Sequence, residues 1–431
     1  MWSLLTERRE LRKGIYTVYG PYKGVIKEGE VIHVGRILRA EDDFFVPKDH
    51  TSCVKVVTEK ALIEIPSSIG GRLELSDERN EPIDEWIKTS EEILKEGYRV
   101  VIVVGEPDSG KSSFTTFLTN YAISNGLKVA VIDSDPGQND IGYPGTIALA
   151  APKRQISWLR ELSPEKMFFI GSTSPMDSED MVILGVHRLV EEARASYNLV
   201  IVNTDGWVKG SRASRYKSRL IIALKPSAIV VMEGSGACDY LGRFFNSIIR
   251  IFKVRSPSKK LSKEHKLRRI RREISYVDLL IQSSLKVLPL NNVRFLGTLM
   301  FSGEEVSLEP LRKIMGSLVL RAERVGEHLI VFTKGRVELK KLLEAEDQIK
   351  KAYSVRAIRL VLLEELKGLL VGLLNRDLEF KGIGVLNRVD LESKRVYIMT
   401  YVNEEDIAGI VPGIISISND GKEIRRMKHL I

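Results

Sequence analysis

The segment GEPDSGKSS (105–113) has the spacing of a phosphate-binding loop, G-x-x-x-x-G-K-[ST]. Its glycines let backbone N–H groups wrap around phosphate oxygens at a helix N-terminus, whose dipole favours negative charge. The lysine of such a loop reaches the β- and γ-phosphates, and the serine hydroxyl is a ligand of Mg²⁺. The apolar run VVIVV precedes the loop and a helical pattern follows, which predicts a nucleotide site. Its residues are Gly105, Glu106, Pro107, Asp108, Ser109, Gly110, Lys111, Ser112 and Ser113.

Two acids follow the next predicted strand. The segment KVAVIDSDPGQND places Asp133 and Asp135 where that strand ends. In a P-loop protein an acid at this point commonly supports the Mg²⁺ shell, which accounts for one of the two. The second acid, flanked by Gly137 and Gln138, is suited to orient or deprotonate an attacking hydroxyl group. The alternative is that Asp135 only caps the following turn.

An indole follows a third apolar run, in the segment YNLVIVNTDGWVKG. An exposed Trp207 at this edge of a sheet can stack on a nucleic-acid base. The alternative is a tryptophan that packs in the core, but the nearby cations Lys209 and Arg212 favour a nucleotide. Another strand end, FFIGSTSP, has hydroxyl groups that could contact a ligand or cap the next helix, at Ser172, Thr173 and Ser174.

The segment 250–272 concentrates positive charge, with eleven Lys and Arg residues against the single acid Glu264. This local excess is larger than the formal net charge of the whole chain, +9. Arg268 and Arg272 are spaced i, i+4 and share one helical face. Such a pair could close over a transferred phosphate, lie on a solvated surface helix, or contact a nucleic-acid backbone.

The composition limits the class of protein. The 431 residues are 43% hydrophobic and 29% charged, which indicates a globular protein of two or three domains. The two cysteines, Cys53 and Cys238, exclude a disulfide framework and favour a reducing cytosol. Six scattered histidines give no zinc pattern. Charged residues interrupt the apolar stretch LVLLEELKGLLVGLL, so no association with a membrane is expected.

The order of the apolar runs predicts an α/β fold. Strand-like and helical segments alternate from about residue 83 to 290, which indicates a central P-loop domain with a doubly wound parallel sheet. Short strand-like runs precede and follow it. The predicted domains are an N-terminal β-rich domain (1–82), a P-loop kinase domain (83–290) with a basic lid (about 250–275), and a C-terminal β-rich domain (291–431), in which one amphipathic helix is expected.

Together these motifs resemble one family. GEPDSGKSS, DSDPGQ, GSTSP, NTDGWVKG and a late Arg-x-x-x-Arg occur in the order found in the RNA-processing polynucleotide 5′-hydroxyl kinases. That family includes the kinases of mRNA cleavage, tRNA splicing and nucleolar rRNA processing, and archaeal relatives. The resemblance covers the central domain and extends to the C-terminal region. It departs at Ser113, where the family often has threonine, and at Tyr143-Pro144, where a proline pair is common.

The resemblance implies the substrates and a role for each residue. The cofactors would be ATP and Mg²⁺, and the acceptor would be a single-stranded or exposed 5′-hydroxyl end of RNA, with DNA also open. RNA-processing proteins would be partners, and the location would be cytoplasmic in an archaeon or nuclear in a eukaryote. The implied roles are ATP binding for Lys111 and Ser112, metal support for Asp133 and Gln138, hydroxyl activation for Asp135, a nucleotide clasp for Thr173, Thr204 and Trp207, and a lid for Arg268 and Arg272.

Other functions remain open on the sequence alone. An ATP-binding scaffold of an RNA-processing complex would show little turnover. A switch ATPase or GTPase has no use for the indole, and the guanine signature N-K-x-D is missing from the chain. Transfer to a free nucleoside is not excluded by the motifs, although the basic segment favours a longer acceptor.

Overall fold

The computed structural model describes residues 6–48, 50–66, 70–76, 81–234, 236–257 and 265–427. The chain divides into two compact units. The first unit comprises residues 1–142, 146–168 and 174–268, and the second comprises 143–145, 169–173 and 269–431. The last boundary between the two units lies within one helix, after Arg268. The three-domain division remains a prediction.

The first unit begins with a seven-stranded sheet built on two long antiparallel strands. These two strands pair from Thr6↔Pro66 to Tyr19↔Thr51, with a bulge between Arg12 and Gly14. Alternate apolar residues of the sheet form one buried cluster. The strands are β1 (Thr6–Tyr19), β2 (Tyr22–Glu28), β3 (Val31–His33), β4 (Arg36–Leu38), β5 (Asp43–Val46), β6 (Thr51–Pro66) and β7 (Arg72–Leu75).

A second seven-stranded sheet contains the phosphate-binding loop. Its order is β11-β10-β9-β12-β8-β13-β14, and the five strands from β9 to β14 in that order are parallel. β10 is antiparallel to β9. The strands are β8 (Val100–Val104), β9 (Val129–Asp133), β10 (Thr146–Ala150), β11 (Lys166–Phe169), β12 (Leu199–Asn203), β13 (Ala228–Met232) and β14 (Arg250–Val254).

Helices cover this second sheet, so its inner strands are buried on both faces. Trp86 packs edge-on against Phe114 and Phe117 within the same core. The α/β class predicted from the sequence is confirmed. The helices are α1 (Ile83–Lys95), α2 (Lys111–Ser124), α3 (Glu179–Arg194), α4 (Ser211–Leu224), α5 (Ala237–Phe245) and α6 (His265–Gln282), which continues into the second unit.

The second unit contains two further sheets. The larger has the order β15-β23-β22-β21-β24-β16, with β25 paired to β24, and the smaller has the order β17-β18-β19-β20. The larger comprises β15 (Ser284–Pro289), β16 (Arg294–Phe295), β21 (Leu369–Leu374), β22 (Phe380–Asp390), β23 (Arg395–Thr400), β24 (Gly409–Ile417) and β25 (Glu423–Arg426). The smaller comprises β17 (Glu304–Glu305), β18 (Val319–Val325), β19 (His328–Thr333) and β20 (Ala357–Leu362).

Among the described residues after 290 there are two α-helices, where the sequence predicted one. They are α7 (Glu309–Met315) and α8 (Leu339–Tyr353), and α8 is the predicted amphipathic helix. β19 and β20 are parallel and α8 joins them, so one strand–helix–strand crossover persists after residue 290. The apolar stretch around residue 365 is divided between β20, a short 3₁₀ turn and β21. Across the described ranges, none of the helices has the length and apolar character to cross a membrane.

Candidate active site

The phosphate-binding loop connects β8 to α2. Lys111 is the first residue of α2 and is buried, and its ammonium nitrogen donates to the carbonyl oxygen of Glu106 at 2.7 Å. Burial lowers the pKa of Lys111 to about 8, while the charge of Asp135 acts to raise it. The hydroxyl group of Ser109 is buried and has no partner in the described part of the chain. The loop therefore holds polar groups that a phosphate would satisfy.

The shape of this loop depends on close packing against the strand-end segment 203–207. A Cβ atom on Gly206 would lie 2.7 Å from the backbone nitrogen of Pro107, so only glycine fits there without a shift of the loop. At another position of the loop, Gly110 has a φ of +93°, a left-handed backbone conformation that favours glycine. Two residues beyond the segment 203–207, Lys209 forms an ion pair with Glu106 of the loop at 2.8 Å.

Two side chains bridged by Asn203, those of Ser112 and Asp133, could hold a magnesium ion. Nδ2 of Asn203 lies 3.3 Å from Oγ of Ser112 and 3.3 Å from Oδ1 of Asp133. Oδ1 of Asn203 is buried, and no described residue gives it a hydrogen-bond partner. Burial, together with the charge of Asp140, raises the pKa of Asp133 well above its usual range. Hydroxyl and carboxylate oxygens are ligands that Mg²⁺ prefers, and a cation would offset this buried negative charge.

Asp135 lies beyond this cluster, at the turn after β9. Its Oδ1 atom accepts hydrogen bonds from the backbone N–H groups of Gly137 and Gln138, at 2.9 and 3.0 Å. One oxygen therefore caps the turn, as the simpler interpretation of the sequence expected. Burial and the charge of Asp205 raise the pKa of Asp135, while the charge of Lys111 opposes the shift. A carboxylate with a raised pKa is a stronger proton acceptor, so capping and base catalysis are compatible.

Gln138 does not reach the cluster around Asp133 through its amide nitrogen. Its Nε2 atom donates to the carbonyl oxygen of Gly137 at 2.6 Å and to that of Arg268 at 3.4 Å. Arg268 in turn forms an ion pair with Asp108 of the phosphate-binding loop at 2.7 Å. The structure therefore brings one of the two predicted lid arginines to the loop.

Two predicted site residues belong to the second unit. There Arg272 forms an ion pair with Glu423 at 2.5 Å, and the hydroxyl oxygen of Thr173 accepts a hydrogen bond from Arg426 at 2.7 Å. Both side chains therefore have protein partners within their own unit. Their roles as lid and clasp residues remain predictions.

The predicted basic lid is not one element. Arg250–Val254 forms the edge strand β14, and α6 begins at His265. Residues 258–264 lie outside the described ranges. Arg250 and Arg255 are held by Glu92 and Glu85, each at 2.7 Å. The start of the basic segment is therefore part of the sheet, which corrects the lid boundary near 250.

The two predicted clasp residues after β12, Thr204 and Trp207, have different environments. The hydroxyl group of Thr204 is buried and donates to the carbonyl oxygen of Val103 at 2.8 Å. Trp207 is half-buried and stacks on Tyr216, with ring centroids 5.5 Å apart. The guanidinium carbon of Arg212 lies 5.6 Å from the indole centroid, as the sequence suggested for a neighbouring cation.

The sequence analysis did not identify Asn203, Asp205 or Lys217 as site residues. Asn203 ends β12, and a polar residue at a parallel strand end is the signal that could have found it. Asp205 adjoins Trp207, but its partners are distant in sequence. Lys217 lies in the cationic segment SRASRYKSRL, which has the composition of a solvated helix, yet its side chain is fully buried.

The fold and this site define a P-loop α/β protein with buried polar side chains at the ends of its parallel strands. Residues 105–280 match the family model described as the mRNA cleavage and polyadenylation factor CLP1 P-loop. The polyribonucleotide 5′-hydroxyl-kinase of Methanocaldococcus jannaschii is 32% identical over 360 residues, which cover 81% of this chain and 94% of that protein. The corresponding kinase of Thermococcus kodakarensis is 32% identical over 335 residues, 75% of this chain and 90% of the relative.

The chain therefore belongs to the family of polyribonucleotide 5′-hydroxyl-kinases, as its motifs indicated. A solved complex of Clp1p with a Pcf11p fragment has the same fold. Its TM-score is 0.62 at 14% identity, and the match covers 95% of this chain and 98% of that one.

The contact of Gly206 with Pro107 yields the first prediction. In Gly206→Ala the new methyl group pushes the loop backbone, and overpacking of this kind costs about 1–3 kcal/mol. We expect affinity for ATP, measured by calorimetry, to fall about tenfold. Gly242→Ala is the matched control, because a Cβ atom there meets nothing within 4 Å. Equal ATP affinity in Gly206→Ala and Gly242→Ala would show that the close approach is unimportant.

Proposed function

We propose that this protein is an ATP-dependent kinase that transfers the γ-phosphate of ATP to the 5′-hydroxyl end of RNA. The observation that carries the proposal is the match, over 94% of its length, to a protein named a polyribonucleotide 5′-hydroxyl-kinase. The arrangement of Lys111, Ser112, Asp133 and Asp135 at one edge of the central sheet supports it. DNA ends remain a second acceptor, because stacking on an indole does not depend on the sugar.

The nucleotide phosphates would lie on the loop 105–113, with Lys111 reaching the β- and γ-phosphates. Ser112 and Asp133 would hold the Mg²⁺ ion, and Asn203 would orient both of them through its amide. Bound there, the ion would neutralise phosphate charge. The role of Gln138 in ordering the metal remains a proposal from the family, since its amide nitrogen contacts Gly137 and Arg268.

We assign the adenine to a narrow cavity within the first unit, next to the loop. Residues of the first sheet, α1 and α2 line it, among them Ser113, the last residue of the loop. The carboxyl group of Glu81 accepts a hydrogen bond from Thr17 at 3.1 Å, and Trp86 provides an apolar wall. An apolar cavity with a few polar groups suits a base. This assignment gives the N-terminal sheet a role in adenine binding.

The reaction is an in-line displacement at the γ-phosphorus atom. The 5′ oxygen forms the new bond to phosphorus while the bond to the β–γ bridging oxygen breaks, and ADP leaves. Asp135 accepts the proton of the 5′-hydroxyl group, for which its raised pKa suits it. Lys111 and Arg268 are the cations that we expect to offset the charge on the transferred group, and Arg272 is assigned to the lid on the family pattern alone.

The acceptor end would stack on Trp207, with Thr204 as a further clasp residue. Thr173 is assigned to the clasp on the family pattern alone. We also propose RNA-processing proteins as partners, by analogy with the Clp1p complex that contains Pcf11p. The archaeal origin of the similar kinases favours a cytoplasmic location.

The test of this function is transfer of ³²P from [γ-³²P]ATP with Mg²⁺ to a 5′-hydroxyl RNA oligomer. We expect label on this oligomer and none on its 5′-phosphorylated twin, and we expect Lys111→Ala to abolish the label. A DNA oligomer of the same sequence measures the sugar preference. No label on RNA or DNA, with ATP still bound, would contradict the kinase and favour a nucleotide-binding scaffold.

Asp135→Asn tests the assigned base. The amide cannot accept the proton, and general base catalysis contributes about 10²–10⁴-fold, so we expect kcat to fall by that factor. Binding of ATP, measured by calorimetry, should remain, since Asp135 caps its own turn rather than the loop. A variant with full activity would leave Asp135 as a turn residue only.

Trp207→Ala tests the clasp. Stacking on an aromatic side chain contributes about 1–3 kcal/mol per base, so the KM for a short oligonucleotide should rise about tenfold. The KM for ATP should stay within about twofold, because the indole is assigned to the acceptor and not to the nucleotide. If the KM for the oligonucleotide is unchanged, Trp207 has only a packing role.

A further inference from the structure

Lys217 is a buried basic residue to which the proposed phosphate-transfer mechanism assigns no role. It lies on α4 and is 0% exposed, and Asp205, at the end of the sheet, is 2% exposed. Nζ of Lys217 lies 2.8 Å from Oδ2 of Asp205 and 3.1 Å from the backbone carbonyl oxygen of the same residue. Lysine is almost never fully buried unless it is paired. Burial of this lysine therefore depends on its pairing with Asp205. The groups around the pair indicate its role.

The carboxylate of Asp205 connects this pair to Trp207. Oδ1 accepts a hydrogen bond from the backbone N–H of Trp207 at 2.9 Å. Oδ2, which also contacts Lys217, accepts a hydrogen bond from the hydroxyl group of Tyr216 at 2.8 Å. Burial and the charge of Asp205 raise the pKa of Tyr216 well above its usual range, so this hydroxyl stays protonated and remains a donor.

The ring of Tyr216 holds the side chain of Trp207 as Asp205 holds its backbone. The two rings are stacked, with centroids 5.5 Å apart and planes at 22°. Nζ of Lys217 also lies 5.0 Å from the Tyr216 ring centroid. Both the backbone and the indole of Trp207 are thus fixed by one buried network that anchors α4 to the end of β12.

We propose that Asp205, Tyr216 and Lys217 are positioning residues that hold the indole of Trp207 in place for the acceptor base. The inference rests on the proposed function, because it deepens the role of Trp207 in acceptor binding. One face of the indole is occupied by Tyr216, and the guanidinium carbon of Arg212 lies 5.6 Å from the ring centroid, so an acceptor base would share the remaining ring surface with Arg212. Because the indole is already fixed in the free protein, less side-chain conformational entropy is lost when the base binds. None of the three residues is assigned a contact with the reacting atoms in the proposed mechanism.

Tyr216→Phe is the sharpest test, since it keeps the stacked ring and removes a single hydroxyl group. We expect Kd for a fluorescent 5′-hydroxyl RNA oligomer, measured by anisotropy with a non-hydrolysable ATP analogue, to rise about threefold to tenfold. The KM of the oligomer should rise equally, and the KM for ATP should not change. Tyr197→Phe is the matched control, because it also removes one hydroxyl–carboxylate bond, to Glu165 at 2.9 Å, at the opposite end of β12.

A double-substitution cycle separates positioning from general stability. If Tyr216 acts through Trp207, then Tyr216→Phe should add little to the Kd of Trp207→Ala. An equal increase in both backgrounds, or a parallel loss of ATP affinity, overturns the proposal. Lys217→Met is the second variant and should show the same dependence on Trp207. Because it leaves the Asp205 carboxylate unpaired, thermal unfolding must first confirm that it is folded.

The outcomes distinguish this inference from the proposed function. A wild-type protein that binds the oligomer through the Trp207 network but transfers no phosphate contradicts the kinase and keeps the positioning role. A wild-type protein that transfers phosphate while Tyr216→Phe and folded Lys217→Met bind the oligomer normally contradicts the positioning role alone. A wild-type protein that does not bind the oligomer contradicts both.

Discussion

The position of β12 between β9 and β8 is the constraint on which the site depends. Asn203, the last residue of β12, lies opposite Val103 on one side and Asp133 on the other. The parallel register therefore places the phosphate-binding loop, Asp133 and the TDGW segment at the same sheet edge. A polar side chain at the end of this central strand contacts both neighbours, which explains how one asparagine connects Ser112 to Asp133.

Burial makes the charges at this edge depend on one another. Lys111, Asp133, Asp135, Asp205 and Lys217 are close enough for several of them to shift the pKa of a neighbour. Burial disfavours the charged form of each group, and opposite charges nearby offset part of this desolvation cost. The carboxylate of Asp205 is held by Lys217, Tyr216 and the backbone N–H of Trp207, and its charge raises the pKa of Asp135. Two acids near one edge can therefore have separate roles.

The sequence predicted the parts of the site that depend on local spacing. The loop 105–113, the acids after β9 and the indole after β12 follow a strand-end pattern that one chain segment carries by itself. Lys217 was not predictable in this way, because its burial depends on Asp205, which is contributed by another element. Likewise β14 has cations at Arg250 and Lys253, which an edge strand tolerates because their side chains face solvent. Thr204 belongs to a recognisable motif, but the backbone turns its hydroxyl group to Val103.

The strand order also has a consequence for how the protein is made. β8 and β9 follow each other in the chain, yet they are not neighbours in the sheet, because β12 lies between them. Non-local pairings of this kind close large loops and form slowly. While the chain emerges from the ribosome, the phosphate-binding loop and Asp133 are complete long before Leu199–Asn203 exists. The strand-end cluster of Ser112, Asp133 and Asn203 can therefore form only after the later strand has inserted between the two earlier ones.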